Sequence, residues 1–491
     1  MKLFIVLLTG AFMLATGTSD VFAKKKEKVQ TEAKSDTVRT ASKKRNTQYP
    51  RLFKNKRVVT KKGLITIHKI DDKLYFEFPK SLLGREFLMG SSISATSDNT
   101  SGLVGQTMTT PLHIRFAIQE DQVYMQNVTP VSRMDVYSNQ SDISKAVAKS
   151  NITPDMESFK IAAYNMDSTA VVFEVTKFFL ADNKRLPLFD QNSSSLEDEK
   201  YGQLELKAVL KKNLSSIRNF YVFDDNLEIN LDMSFYQSLL ASKKEVRGGN
   251  VRVKAVYSML LLPEETMVWR LGDPRLGYTF TKKQKISTEK DGTAFSYLQH
   301  KWNLLPADEE AYRRGDLVAP RKPVVFYIDS DFPEAWKKAI KEGVNWWNEA
   351  FKMAGFKDAV QTADFPANDT TFYAGNLKYS CIRYVPVNLS KTQSKVWVDP
   401  RSGEIINGTI FVGHDIAKTI ASQRFVQTAQ VDERMRGIQL SEEVLLEGIL
   451  LYVAREVGHC LGLADNASAS AAFSVESLRS PEFTRQNGIA S

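Results

Sequence analysis

The sequence predicts an α+β multidomain protein, a β-rich N-terminal half followed by an α/β C-terminal domain. Three observations carry that expectation. The chain has 491 residues, 43% hydrophobic and 25% charged, which excludes collagen-like and wholly disordered classes and leaves room for two or three domains. From Gly63 to about Gln299 it is built of short β-branched and aromatic runs. After Leu317-Val318-Ala319-Pro320 the pattern alternates between strand and helix.

The N-terminus reads as a targeting segment. Lys2 precedes the apolar run Leu3-Phe4-Ile5-Val6-Leu7-Leu8, which continues to Ala15, and Val21-Phe22-Ala23 places small residues at the −3 and −1 positions. That order predicts a signal peptide cleaved after Ala23 and an exported protein, periplasmic or extracellular. No later stretch approaches the ~20 apolar residues of a membrane span, so no transmembrane segment is expected.

The net charge of +9 is local. Residues 24–62 hold 15 Lys/Arg against 3 Asp/Glu, the first 23 residues cancel, and everything from Gly63 onward carries −3. The basicity is expected to belong to a solvated linker, and no nucleic-acid partner is expected. Cys381 and Cys460 are too few for a disulfide framework; two buried thiols are expected, with pairing as the alternative.

Strands are predicted at Leu74–Phe78, His113–Ile118, Val123–Met125, Val171–Val175, Asn226–Leu231 and Val251–Leu262. They fall into a small module over 63–100 and a β-rich domain over 101–300. In the last domain, 318–491, Pro323–Asp329 is a strand leading into a helix that starts near Glu334. On that helix Trp336, Ile340, Val344, Trp347 and Phe351 form an apolar stripe of helical period, ended by Ala354-Gly355-Phe356. Tyr379–Val385 and Gly408–Val412 are strand-like. A second helix is expected from a Ser441 cap, with Glu442 and Glu443 favoured in its first turn, to about His459.

The end of that helix carries the chemistry. A zincin helix presents His at i and i+4 to Zn²⁺, and the Glu after the first His acts on the metal-bound water. A Gly then ends the helix so that a third ligand can return to the metal. The run Arg455-Glu456-Val457-Gly458-His459-Cys460-Leu461-Gly462-Leu463-Ala464-Asp465-Asn466 has that spacing.

Further motifs accompany it: Phe76-Glu77-Phe78-Pro79 with Leu82-Leu83-Gly84-Arg85-Glu86-Phe87-Leu88, Asp273-Pro274-Arg275 with Gly277-Tyr278, and Trp346-Trp347-Asn348-Glu349-Ala350-Phe351. Asp399-Pro400-Arg401-Ser402-Gly403-Glu404-Ile405-Ile406 and Ser477-Leu478-Arg479-Ser480-Pro481-Glu482-Phe483 complete the set. Together they make the chain resemble the large exported Met-zincin-like zinc metallopeptidases of bacteria, in which domains of unknown function precede a metzincin-like catalytic domain. The resemblance implies a zincin-like (metzincin) α/β catalytic domain, Zn²⁺ as cofactor, a peptide or protein substrate, Glu456 as the catalytic base, and His459 and Asp465 as metal ligands. It also implies that the edge strand above the site holds substrate backbone, a role falling on Thr409, Ile410 and Phe411.

The chain departs from the family pattern where it matters. The family has His at both 455 and 465. Asp can ligate zinc, but Arg455 stays protonated and has no lone pair to offer. The family also continues into a Met-containing turn, so with Ser491 last the catalytic domain is expected to be truncated. The expectation is therefore an impaired or inactive metallopeptidase with weak or absent zinc, in which Arg455 pairs with Asp465. The alternatives are an active enzyme with a substitute ligand, such as His414, and a non-catalytic peptide-binding or scaffold protein of the envelope.

Overall fold

A computed structural model describes residues 48–487, apart from 99–101, 106, 130–133, 137–140, 190–195, 199, 201, 287–291, 370–371, 387–391, 431, 438 and 467–470. The expected signal peptide and most of the basic segment lie outside the described residues. Among the described residues no helix is long and apolar enough to cross a membrane.

The N-terminal half is one large sheet. Its strands are β1 (Val58–Lys62), β2 (Thr66–Ile70), β3 (Lys73–Pro79), β4 (Glu86–Thr96), β5 (Leu112–Gln119) and β6 (Gln122–Asn127). After the short β7 (Met134–Val136) come β8 (Asp155–Tyr164), β9 (Ala170–Glu174), β10 (Leu196–Asp198), β11 (Gly202–Leu210), β12 (Ser216–Val222), β13 (Asn226–Ala241) and β14 (Lys244–Leu261). The order is β1-β2-β3-β9-β8-β6-β5-β4-β14-β13-β11-β10, with β12 also paired to β13. Alternating side chains fill one core, where Phe78 packs on Phe116 with ring centroids 4.8 Å apart, and Phe76, Phe87 and Phe173 surround them. The sheet curls back on itself. Lys61 Nζ donates to Asn219 Oδ1 at 3.3 Å, Lys69 Nζ to Ile217 O at 2.7 Å, and Leu64 N to Phe223 O at 2.6 Å, so β1 and β2 lie beside β12.

One expected boundary is corrected here. The linker over 24–62 does not extend to 62. Residues 48–62 already belong to the fold, with a short helix Tyr49–Phe53 and β1 paired to β2. Tyr49 OH donates to Glu77 at 2.7 Å, Phe53 packs on His68, and Lys61 sits 4.4 Å from the centre of the Tyr221 ring. Near residue 100 the sheet itself is continuous, because β4 pairs with β5 on one side and with β14 on the other.

A three-stranded sheet, order β16-β15-β7, joins β15 (Phe280–Ile286) and β16 (Ala294–Gln299). The C-terminal sheet holds β17 (Val324–Ile328), β18 (Val360–Asp364), β19 (Ser380–Val385), β20 (Thr392–Val398) and β21 (Ile405–Gly413), in the order β18-β17-β19-β21-β20. All neighbours are parallel except β20, which runs antiparallel to β21 at one edge. One face packs Phe326, Ile382, Ile410 and Val412 against Trp336, Ile340 and Val344 of the helix Glu334–Asn345, and against Ile449, Val453 and Val457 of the helix Glu442–Cys460. The first three residues of the predicted apolar stripe are thus core, and Trp347 and Phe351 are half-buried against it. The helix has a hitch at Trp346, which keeps helical dihedrals while the chain restarts as Trp347–Met353.

The two halves are fastened by the Asp399–Gly403 turn and by Trp397. Arg401 binds Asp399 through Nε at 3.0 Å and Nη2 at 2.7 Å, donates Nη2 to Pro263 O at 2.7 Å, and faces Glu86 at 3.7 Å. Trp397, fully buried, packs with Leu88, Leu260 and Leu262 of the N-terminal half and with Leu377.

The expected substrate strand is also corrected. Thr409, Ile410 and Phe411 lie on β21, whose two edges are taken by β19 and β20. A strand with both rows of backbone groups paired cannot accept a peptide by strand addition. Ile410 points into the helix-side core, and Thr409 and Phe411 point toward the N-terminal half.

Candidate metal centre

The helix Glu442–Cys460 begins as expected, with Ser441 Oγ accepting from Val444 N at 3.4 Å. Small residues let it approach its neighbours closely. A Cβ on Gly343 of the facing helix would come 2.7 Å from Leu450 O, and one on Gly458 would come 2.7 Å from the Trp347 ring. Its buried face is Ile449, Val453, Val457 and Cys460, which leaves Arg455 and His459 toward a cleft of about 1120 Å³ walled by Trp346, Trp347 and Tyr452.

Gly462 ends the helix at φ 95°, where Leu463 N reaches back to Gly458 O at 3.0 Å. This is a left-handed C-terminal cap. A side chain at 462 would collide with His300 O. The chain beyond is clamped by the 277–279 segment: Thr279 N donates to Gly462 O at 2.8 Å and Ala464 N to Gly277 O at 3.0 Å. The Gly277-Tyr278 motif thereby holds the returning strand, and a Cβ on Gly277 would come 2.6 Å from Asn466 Cβ.

Asp465 is returned to the helix as the spacing predicts. Arg455 Nη2 donates to its Oδ1 at 2.9 Å and Oδ2 at 2.8 Å, and Arg455 Nη1 donates to Glu456 Oε1 at 3.1 Å. One guanidinium thus bridges the expected catalytic carboxylate and the expected third ligand. The Arg455 and Asp465 side chains are 51% and 71% exposed, so solvent screens the pair. Asp465→Asn is accordingly expected to lower the unfolding free energy by less than about 1 kcal/mol in urea titration; a larger loss would mean that the pair carries structure.

His459 keeps a ligand-like setting. Its Nδ1 lies 3.0 Å from Leu463 O. A carbonyl only accepts, so Nδ1 carries a proton and, in the neutral ring, Nε2 holds the lone pair. Nε2 faces Asp465 Oδ1 at 3.8 Å. His459 and an Asp465 carboxylate would suit zinc, but the third corner is a guanidinium that already engages both neighbouring carboxylates. Among the described residues no group of three or more His, Cys, Asp and Glu side chains is placed to hold a metal. The residues present therefore do not fit a catalytic zinc.

The substitute ligands are elsewhere. His414 stacks on Trp336, takes part in a 2.5 Å hydrogen bond with Tyr384 OH, and does not line the cleft. Cys460 is fully buried against Gly408, and burial pushes its thiol well above the usual range. Cys381, equally buried, is pushed up to about 12, and both thiols are free.

Sequence reasoning missed His300, which braces the clamp. Its Nδ1 is 3.0 Å from Thr279 Oγ1, and Nε2 is 2.9 Å from Thr281 Oγ1. Thr279 Oγ1 itself donates to Gly462 O at 3.1 Å. The ring must therefore donate from Nδ1 and accept at Nε2. Burial holds this imidazole down at about 4. A folded pKa below the unfolded value near 6.5 favours the neutral ring in the native state. Its stabilisation is full above pH 6.5 and is lost as pH falls toward 4. His300→Gln is expected to flatten the acid limb of the stability–pH curve between pH 6.5 and 4, by up to about 3 kcal/mol, measured by urea titration across pH; an unchanged limb would refute it.

Residues 437–491 match a family model described as Met-zincin. Residues 105–307 and 47–96 match two domains of unknown function, DUF5117 and DUF5118. No curated protein and no solved structure matches the chain.

Proposed function

We propose that this chain is an exported relative of zinc metallopeptidases that does not hydrolyse peptides, its first-ligand corner being filled by Arg455. The match of the C-terminal segment to Met-zincin supports the relation. The observation that carries the reading is the single guanidinium bridging Glu456 and Asp465. A general base must be free to accept the proton of an attacking water, and here Glu456 is buried and accepts from Arg455 instead.

The test is elemental analysis of the full chain purified without chelator and equilibrated with zinc. No stoichiometric zinc is expected. One zinc per chain would overturn the reading and restore an active enzyme with an unforeseen ligand.

A second reading rests on the cleft, which keeps its aromatic wall of Trp346, Trp347 and Tyr452 beside Arg455. That surface suits peptide capture without cleavage. Tryptophan fluorescence titrated with a mixture of unfolded peptides would shift, while mass spectrometry finds the peptides intact. An unresponsive spectrum would remove this reading.

A further inference from the structure

The face of the C-terminal sheet turned away from the helix Glu442–Cys460 meets β4, β13 and β14 across a cavity of about 390 Å³. It lies between the two halves and shares no lining residue with the cleft at Arg455. Side chains alternate along a strand. With Ile382 and Ile410 in the helix-side core, Arg383, Thr409 and Phe411 fall on the cavity side, together with Lys395 and Trp397 of β20.

The charges in this cavity are not balanced. Lys395 Nζ lies 5.1 Å from the centre of the Trp397 ring, and the Arg383 guanidinium lies 5.7 Å from that of Phe411. Among the described residues neither cation has a carboxylate within ion-pair distance. The one carboxylate lining the cavity, Glu228, is buried and already served: its Oε1 accepts from Tyr373 OH at 2.5 Å and from Asn230 Nδ2 at 2.8 Å. A side chain at Gly375 would strike Glu228 Oε2, so that oxygen is packed against the glycine. Two cations against one anion leave one positive charge in a partly enclosed space walled by Tyr373, Trp397 and Phe411. Unpaired buried charge is costly and persists where something else compensates it.

We infer that this inter-domain cavity is a binding site for a small organic carboxylate with a flat apolar body, its carboxylate held by Lys395 and Arg383 and its body lying among Tyr373, Trp397 and Phe411. One ligand charge neutralises the excess, which favours a monoanionic carboxylate over a phosphate dianion. The volume is within the range of small-molecule sites. Burial lowers the Lys395 ammonium to about 8, so its charge, and with it the affinity, falls as pH rises through 8.

The test is isothermal titration calorimetry of the full chain with benzoate, 3-phenylpropionate, 3-phenylpropionamide and inorganic phosphate. Saturable binding of at least one carboxylate is expected at pH 7, absent for the amide and weaker at pH 9. Lys395→Met and Arg383→Met should each weaken it about tenfold or more, and Lys395→Arg should restore it. Without ligand, Lys395→Met should raise the melting temperature by roughly 1–3 °C, because an unpaired desolvated charge is removed. Arg383→Met, at a half-buried position, tests the same cation pair if Lys395→Met does not fold. The proposal is overturned if no carboxylate binds, if the amide binds as well, if phosphate binds more tightly, or if both variants bind as the parent does.

Discussion

Arg455→His is expected to hold stoichiometric zinc where the parent is expected to hold none, and Arg455→His with Asp465→His to bind the metal more tightly still. The substitution would set two imidazoles at i and i+4 on one helix face, the spacing that lets both reach one ion. The rest of the arrangement is in place. His459 has its Nδ1 proton engaged by Leu463 O and its Nε2 lone pair free, and Asp465 is delivered by the turn at Gly462. Removing the guanidinium also frees Glu456. Elemental analysis and chelator competition give the stoichiometry and affinity. At zinc 100 to 1,000 times Kd the unfolding free energy should rise by about 3–4 kcal/mol. If neither variant retains zinc, residue 455 is not the sole lesion, and the segment after Gly462 does not bring its side chain within bonding range of the helix.

Trp397→Ala is expected to cost about 3–5 kcal/mol of unfolding free energy, the usual loss for a fully buried large aromatic side chain. The site has little freedom to collapse, because Trp397 packs between Leu88, Leu260 and Leu262 from the N-terminal half and Leu377 beside its own sheet. Its ring also lies 3.0 Å from where a Cβ on Gly90 would stand. Since these contacts fasten the two halves, the variant should unfold in two steps, the C-terminal sheet first. Urea titration followed by far-ultraviolet circular dichroism and by tryptophan fluorescence would separate the transitions. A single transition with a loss under about 1 kcal/mol would place the coupling elsewhere, with Arg401 the next residue to change.

The elements legible in the sequence are those in which local pattern and burial agree. The runs at Leu74–Phe78, His113–Ile118 and Val171–Val175 alternate or are wholly apolar, and they are strands of the N-terminal core. The Ser441 cap and the glycine at 462 mark both ends of the long helix. That spacing was also enough to bring Arg455 and Asp465 together, because a helix face and one turn are local geometry.

What was not legible depends on pairing between distant segments. Thr392–Val398 carries a lysine and several polar residues, so it does not stand out as a strand, yet it is the antiparallel edge of the C-terminal sheet. Without it, β21 reads as an edge strand, yet both its edges are paired. Lys61 and Lys62 look like the end of a charged linker, and nothing nearby shows that Lys61 reaches β12. The exposed half of β14, Lys244–Asn250, lacks apolar alternation because its inward support comes only from β13.

The contact that closes the large sheet joins residues far apart in the chain: Lys61 and Asn219 are separated by 158 positions. A chain made from its N-terminus therefore presents β1 well before β12 exists, and closing so long a loop is among the slower steps of folding. Among the described residues the outer backbone edge of β1 pairs with no strand, since β12 is reached through side chains, and such an edge is the feature most prone to joining another chain. Lysines on an edge strand discourage such pairing. Lys61, the β1 lysine that crosses to β12, thus also guards this edge.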